Sequence, residues 1–217
     1  MSIRSEEQAL FDDLKAKNPY VIPDGVMDEQ EYLSARYKIV YVLKEVNGGK
    51  DWDLRDFVGK DGGRPQTWDN IARWTEGIFS WEQEIPWCKL EKENEARRKN
   101  VLRKIAAINL KKTSGGYISD SKQIYQAAEE YSPIIRKQMD IYDPDIIICC
   151  GTEGAFSKIC YADNEPAWKM TSRGIWYFRD GKKVIISYSH PAARTKDSIL
   201  YYGLMDAVKE ILSEQLF

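Results

Sequence analysis

Apolar residues recur at helical spacing at Leu10, Phe11 and Leu14, which predicts a helix over residues 6–17 that Asn18 and Pro19 bring to an end. A shorter helix is expected over residues 28–37. Residues 38–43 then form an unbroken run of β-branched and aromatic side chains, the pattern of a strand buried on both faces. The glycines and the proline between positions 50 and 67 predict a loop that returns to a helix over residues 67–79, with Trp68, Ile71, Trp74 and Ile78 on its inner stripe. A charged helix is expected over residues 93–105, followed by a short strand over residues 106–110. Residues 120–141 carry the longest helical pattern, with Pro133 placed to kink it. A strand over residues 146–150 turns through Gly151 and Gly154 into a helix starting near Ala155. Segments 174–178 and 183–187 flank Asp180-Gly181, a hairpin signal. A closing amphipathic helix covers residues 197–215.

Strands alternating with helices predict an α/β protein in three layers (α/β/α). The expectation is a central, mostly parallel four-stranded sheet with helices on both faces and a C-terminal hairpin. The 217 residues read as one domain, 1–217, in which 1–37 is a helical extension, with no internal repeat or low-complexity tract.

The formal charge of −2 differs from the basic balance of proteins that grip long stretches of nucleic acid. Basic clusters at Arg97-Arg98-Lys99, Lys111-Lys112 and Lys182-Lys183 are read mostly as solvated helix faces, with Lys111-Lys112 set apart by its position after a strand. Cys88, Cys149, Cys150 and Cys160 form neither a CxxC pair nor a metal-ligand spacing with histidine, and Cys149-Cys150 follows Ile146-Ile147-Ile148 and reads as buried thiols; no disulfide, structural metal or cofactor is expected. No run of about 18 apolar residues occurs, and the first residues lack an apolar signal core. A cytoplasmic, monomeric protein without membrane contact is expected.

Ligands of open α/β sheets bind at the carboxyl ends of strands, where loops converge over a rigid support. Four strand ends here carry distinctive loops: Glu45-Val46-Asn47-Gly48-Gly49, the segment 109–116, the turn 151–154, and the segment 190–194, which holds the only histidine of the chain, His190. In order and context, Leu43-Lys44-Glu45-Val46-Asn47-Gly48, Ile108-Asn109-Leu110 and Ser189-His190-Pro191-Ala192 resemble motifs of the uracil-DNA glycosylase superfamily, over roughly residues 38–212. In that family the first strand end holds the water-activating acid or asparagine, a middle strand end holds a base-reading asparagine, and a late one carries a His-Pro motif. The first motif departs from the best-known forms, because Val46 stands where the catalyst usually is and the polar groups fall at Glu45 and Asn47.

The resemblance implies a monofunctional DNA glycosylase that hydrolyses the N-glycosidic bond of a flipped, deaminated or modified base in duplex or single-stranded DNA, in repair or in defence against foreign DNA. Cleavage passes through an oxocarbenium-like sugar while the departing base gains negative charge. Glu45, with Asn47 as alternative or partner, is expected to place water and stabilise the sugar, and His190 to donate a hydrogen bond to the leaving base. Asn109 is expected to read the base edge, Phe57 or Trp52 to stack on the base, and Gly48 to leave room at its 5-position. Lys111, Lys112, Ala192 and Arg194 are the expected DNA contacts. A catalytically silent nucleic-acid-binding module and a small-molecule N-glycoside hydrolase are the alternatives. Phosphate-loop, dinucleotide-binding and Gly-x-Ser-x-Gly motifs are absent.

Overall fold

The computed structural model describes residues 2–49, 51–116, 119–162 and 166–214. Helix α1 (Ile3–Lys17) starts at an Ser2 N-cap, and the short strand β1 (Gly25–Val26) and helix α2 (Glu29–Ser34) lead into β2 (Ile39–Leu43). Helices α3 (Leu54–Asp61), α4 (Pro65–Phe79), α5 (Trp87–Leu90) and α6 (Asn94–Val101) follow, and a single 3-10 turn over Leu102–Lys104 enters β3 (Ile105–Asn109). The remaining elements are α7 (Ser121–Glu130), α8 (Ser132–Tyr142), β4 (Ile146–Cys150), α9 (Glu153–Cys160), β5 (Lys169–Met170), β6 (Trp176–Asp180), β7 (Lys183–Tyr188) and α10 (Asp197–Ser213).

The α/β class holds, but the sheet is larger and more mixed than expected. Among the described residues, seven strands run in the order β1-β3-β2-β4-β7-β6-β5. Strands β3, β2, β4 and β7 are parallel, whereas β1 pairs antiparallel with β3 at one edge and β6 and β5 add antiparallel strands at the other. The two outermost strands are only two residues long, too short for alternation of polar and apolar positions to reveal them.

Three helical expectations are also revised. The stretch expected as a loop contains α3, which Asp53 caps by accepting from the Arg55 amide and which Gly62 ends in the left-handed conformation (φ 76°). The long pattern around Pro133 is two helices, α7 and α8, broken at Tyr131, because proline begins a helix far more readily than it continues one. The charged helix stops at Val101, and Ile105 belongs to β3. The closing helix is described to Ser213, and position 215, expected at its end, lies outside the described residues.

Every residue of β2, β3 and β4 is buried. Alternate side chains enter two cores: Ile39, Tyr41 and Leu43 face α3, α4 and α10, and Val40 and Val42 face α7, α8 and α9. Register places the site. Leu43 pairs with Asn109, Val42 with Cys149, and Cys150 with Tyr188, so the four parallel strands end in one row and their loops emerge together.

Candidate functional site

The chain leaves β2 for β3 on one side and later crosses to β4 on the other, so the loops after β2 and β4 part at a reversal of strand order. Such a reversal opens a crevice at the carboxyl edge of a parallel sheet. Lys44, Glu45, Gly151 and His190 all lie on loops along this edge. At about 4.8 Å per strand, the loops of β2 and β7 stand roughly 10 Å apart.

The loop after β2 is zipped to the loop after β3. Leu110 and Lys111 amides donate to the Leu43 and Lys44 carbonyls at 2.9 and 3.0 Å, the Gly115 amide donates to the Val46 carbonyl at 2.9 Å, and Asn47 bridges to Gly115. The Glu45 carboxylate lies against Gly115, where a Cβ would collide with it, and accepts from Lys111 Nζ at 2.7 Å. The Glu45 side chain is 6% exposed and that of Lys111 is 19% exposed, so this is a sheltered pair at the rim of the crevice. Val46 is buried in the core and Asn47 is exposed. Trp52 and Phe57 pack edge to face, 5.6 Å between ring centroids, and both rest on the core. The Trp52 indole donates to the Gly48 carbonyl, which ties the aromatic pair to the loop, and the space over Gly48 is open.

His190 sits in a tight turn. The Ala192 amide donates to His190 Nδ1 at 3.1 Å, so the neutral ring carries its proton on Nε2 and offers that N–H as a donor. Burial, and then the nearby Lys44 charge, lower the imidazole pKa below its ordinary 6.5 and favour the neutral form. Lys44 reaches over the β4 turn: a Cβ on Gly151 would lie 3.8 Å from its Cε. The turn is anchored from α4, where Asn70 Nδ2 donates to the Pro191 carbonyl at 2.8 Å and to Asp197 at 2.9 Å. Arg73 donates to Asn70 and to Asp197, both at 2.9 Å. Ala192 thus serves the histidine through its backbone, while Arg194 is exposed and forms no ion pair among the described residues.

Asn109 is 2% exposed. Its backbone N–H donates to Asp24 Oδ2 at 2.7 Å and its Nδ2 approaches the same oxygen at 3.5 Å, while its Oδ1 is buried without a partner. Lys112 departs from expectation. It is fully buried, donating to Asp24 at 2.8 and 3.0 Å and to Gln138 at 2.7 Å, and so it supports the interior rather than a phosphate. An isolated buried charge is prohibitively costly, so a lysine at this depth must be paired. Gln138 also donates to Asp24 at 2.9 Å, and Glu7 with Arg55 at 2.7 Å forms a second buried pair nearby.

The other basic clusters divide: the Arg97 and Arg98 side chains are sheltered within the fold, whereas the Lys99 and Lys182 pairs lie exposed to solvent, as expected of solvated faces. Arg97 binds Glu76 and the Leu90 and Lys89 carbonyls, Arg98 pairs with Asp69, Lys99 with Glu95, and Lys182 with Asp143. The four cysteines are free, and burial pushes the Cys149 and Cys150 thiols well above the usual range. Among the described residues, no group of three or more His, Cys, Asp or Glu is placed to hold a metal ion, and no helix is long and apolar enough to cross a membrane.

Sequence reasoning missed Lys44, Asp24, Asn70, Arg73 and Asp197. Only Lys44, adjacent to Glu45 at a strand end, carried a local signal. No protein-family model matches the chain, and no curated protein matches it.

Proposed function

We propose that the chain is a DNA glycosylase that excises a deaminated or modified base, a reading that rests on the resemblance of its strand-end motifs to the uracil-DNA glycosylase superfamily. One structural observation carries it furthest: the Ala192 amide occupies His190 Nδ1, which leaves a neutral Nε2–H donor at the sheet edge. In the proposed reaction, water forms a bond to the sugar C1′ and gives a proton to Glu45. The glycosidic C–N bond breaks, and its electron pair leaves with the base. His190 Nε2–H then stabilises the charge on the base oxygen.

The sheltered Glu45 carboxylate supports its choice over the exposed Asn47 amide as the group that takes water's proton, and the unpartnered Oδ1 of Asn109 supports an acceptor role toward a base N–H. Arg194 and Lys44 are the cations best placed to meet phosphate, and the open space over Gly48 favours bases larger than uracil. The cleft beside Lys44, bounded by Gly151 and Tyr125, holds about 60 Å³ and is walled by α7 and the turn after β4, not by Glu45, Asn109 or His190. The reading invokes no cofactor and places the protein as a monomer on DNA.

A second reading, a nucleic-acid-binding module without chemistry, is favoured by the engagement of Glu45 with Lys111. Incubation with oligonucleotides carrying uracil, hypoxanthine or 5-substituted pyrimidines, followed by alkali, separates the two. Strand breaks that vanish in Glu45→Ala and His190→Ala support the enzyme, binding without breaks supports the module, and neither result overturns both. Release of base from free nucleosides with DNA untouched would instead identify a small-molecule N-glycoside hydrolase.

A further inference from the structure

The helix layer formed by α4 and α10 contains an open cavity of about 310 Å³ that shares no residue with the strand-end site. A volume of this size suits a small organic ligand. Three aromatic rings, Trp81, Tyr201 and Tyr202, line it together with the Met205 thioether. The Trp81 indole donates to the Tyr37 hydroxyl at 2.9 Å and the Tyr202 hydroxyl donates to the Ile85 carbonyl at 3.4 Å. Because their polar ends are committed to the protein, what these two residues offer a ligand is ring surface.

Gly77, in the last turns of α4, keeps the space open: a Cβ there would fall 2.7 Å from the Tyr201 hydroxyl and would also meet the Met205 sulfur. Glycine inside a helix costs about 1 kcal/mol relative to alanine, so local helix propensity does not explain it. Tyr201 is only 2% exposed, lines the cavity, and its hydroxyl forms no hydrogen bond among the described residues. An unpartnered hydroxyl on a residue that lines the cavity is free to donate to or accept from a ligand.

Charge narrows the ligand class. Two carboxylates, Glu84 and Asp206, and one ammonium, Lys209, line the cavity. Asp206 is paired with Arg173 at 3.3 Å, while Glu84 forms no ion pair among the described residues. Lys209 is also unpaired among the described residues, so the lining carries one free charge of each sign and the rings decide: their electron-rich faces repel an anion, and a neutral apolar molecule would cover Glu84 and the Tyr201 hydroxyl without satisfying either. An organic cation would meet ring surface, carboxylate and hydroxyl oxygen together.

We propose that this cavity binds a small organic cation bearing an alkylated ammonium group. The test titrates the full chain with tetramethylammonium and with choline at constant ionic strength, and in parallel with 3,3-dimethylbutan-1-ol, the neutral isostere of choline. Binding is followed by the NMR shifts of the Trp81 indole and of the Tyr201 and Tyr202 rings. Saturable shifts by both cations are expected, with the neutral isostere and the Glu84→Gln variant each weaker by roughly tenfold or more. Gly77→Ala should fill the space and abolish binding. Glu84 is exposed, so its substitution keeps the test valid if Gly77→Ala fails to fold. Absence of saturable cation binding, equal binding of the isostere, or indifference to Glu84→Gln would each overturn the proposal.

Discussion

Removing the Lys112 ammonium should be among the most damaging single changes available in this chain. Lys112 and Asp24 are both fully buried, and the Asp24 carboxylate also receives the Asn109 amide at 2.7 Å and Gln138 Nε2 at 2.9 Å. Lys112→Met keeps an unbranched apolar stem of similar length, but the carboxylate loses its counter-charge and the Phe11 ring loses the ammonium 5.8 Å from its centroid. Breaking a buried pair from one side typically costs about 3–5 kcal/mol, whereas replacing both partners is often close to neutral. For a domain of this size each kcal/mol shifts Tm by roughly 2–4 °C, so Lys112→Met should lower Tm by roughly 6–20 °C. Asp24→Asn keeps an acceptor for the Asn109 amide while removing the charge, and the double variant should therefore lose far less than the sum of the two single losses. Urea unfolding followed by tryptophan fluorescence, completed as a double-mutant cycle, measures each loss. A Lys112→Met cost below about 1 kcal/mol, or strictly additive losses, would refute the reasoning that this pair is desolvated and mutually dependent.

Three further outcomes follow from the proposed glycosylase reading of the site. Because burial and Lys44 hold the His190 pKa below 6.5, the neutral donor persists below that pH, and single-turnover excision should be level near neutrality and fall only as pH drops through the depressed value; an acid limb centred above 6.5 would contradict the assigned proton state. Gly115→Ala places a methyl group where the Glu45 carboxylate lies, and it should cost about 1–3 kcal/mol of stability while lowering excision more than binding. DNA affinity and cleavage measured together would expose a purely structural effect as parallel losses. Gly48→Val projects a side chain into open space above the loop, at some cost from its left-handed φ of 80°. It should impair excision of 5-substituted pyrimidines more than of uracil, and equal loss on both substrates would remove the argument for a larger base.

By itself the sequence determined those features whose physics is local. The unbroken apolar runs at 39–43 and 146–150 mark strands covered on both faces, the Asp180-Gly181 turn marks the hairpin, and the strand ends place Glu45 and His190 on loops and Asn109 at the last position of β3. Each of these signals fits within a few residues of chain. Tertiary structure decided the rest. The edge strand Gly25–Val26 exists because it pairs with β3, and α3 persists in a glycine-bearing stretch because its buried face packs on the core and its ends are capped.

The clearest division lies between Lys111 and Lys112, which are indistinguishable as a basic dipeptide. One reaches Glu45 at the rim of the site, and the other turns inward to Asp24, 88 residues away along the chain. The same holds for Asn70, which fixes the His190 turn across 121 residues. Successive residues leaving a strand point to opposite sides, so periodicity can say that the two lysines differ in direction. Which direction holds a buried carboxylate depends on how distant segments pack together, and only the folded chain sets that.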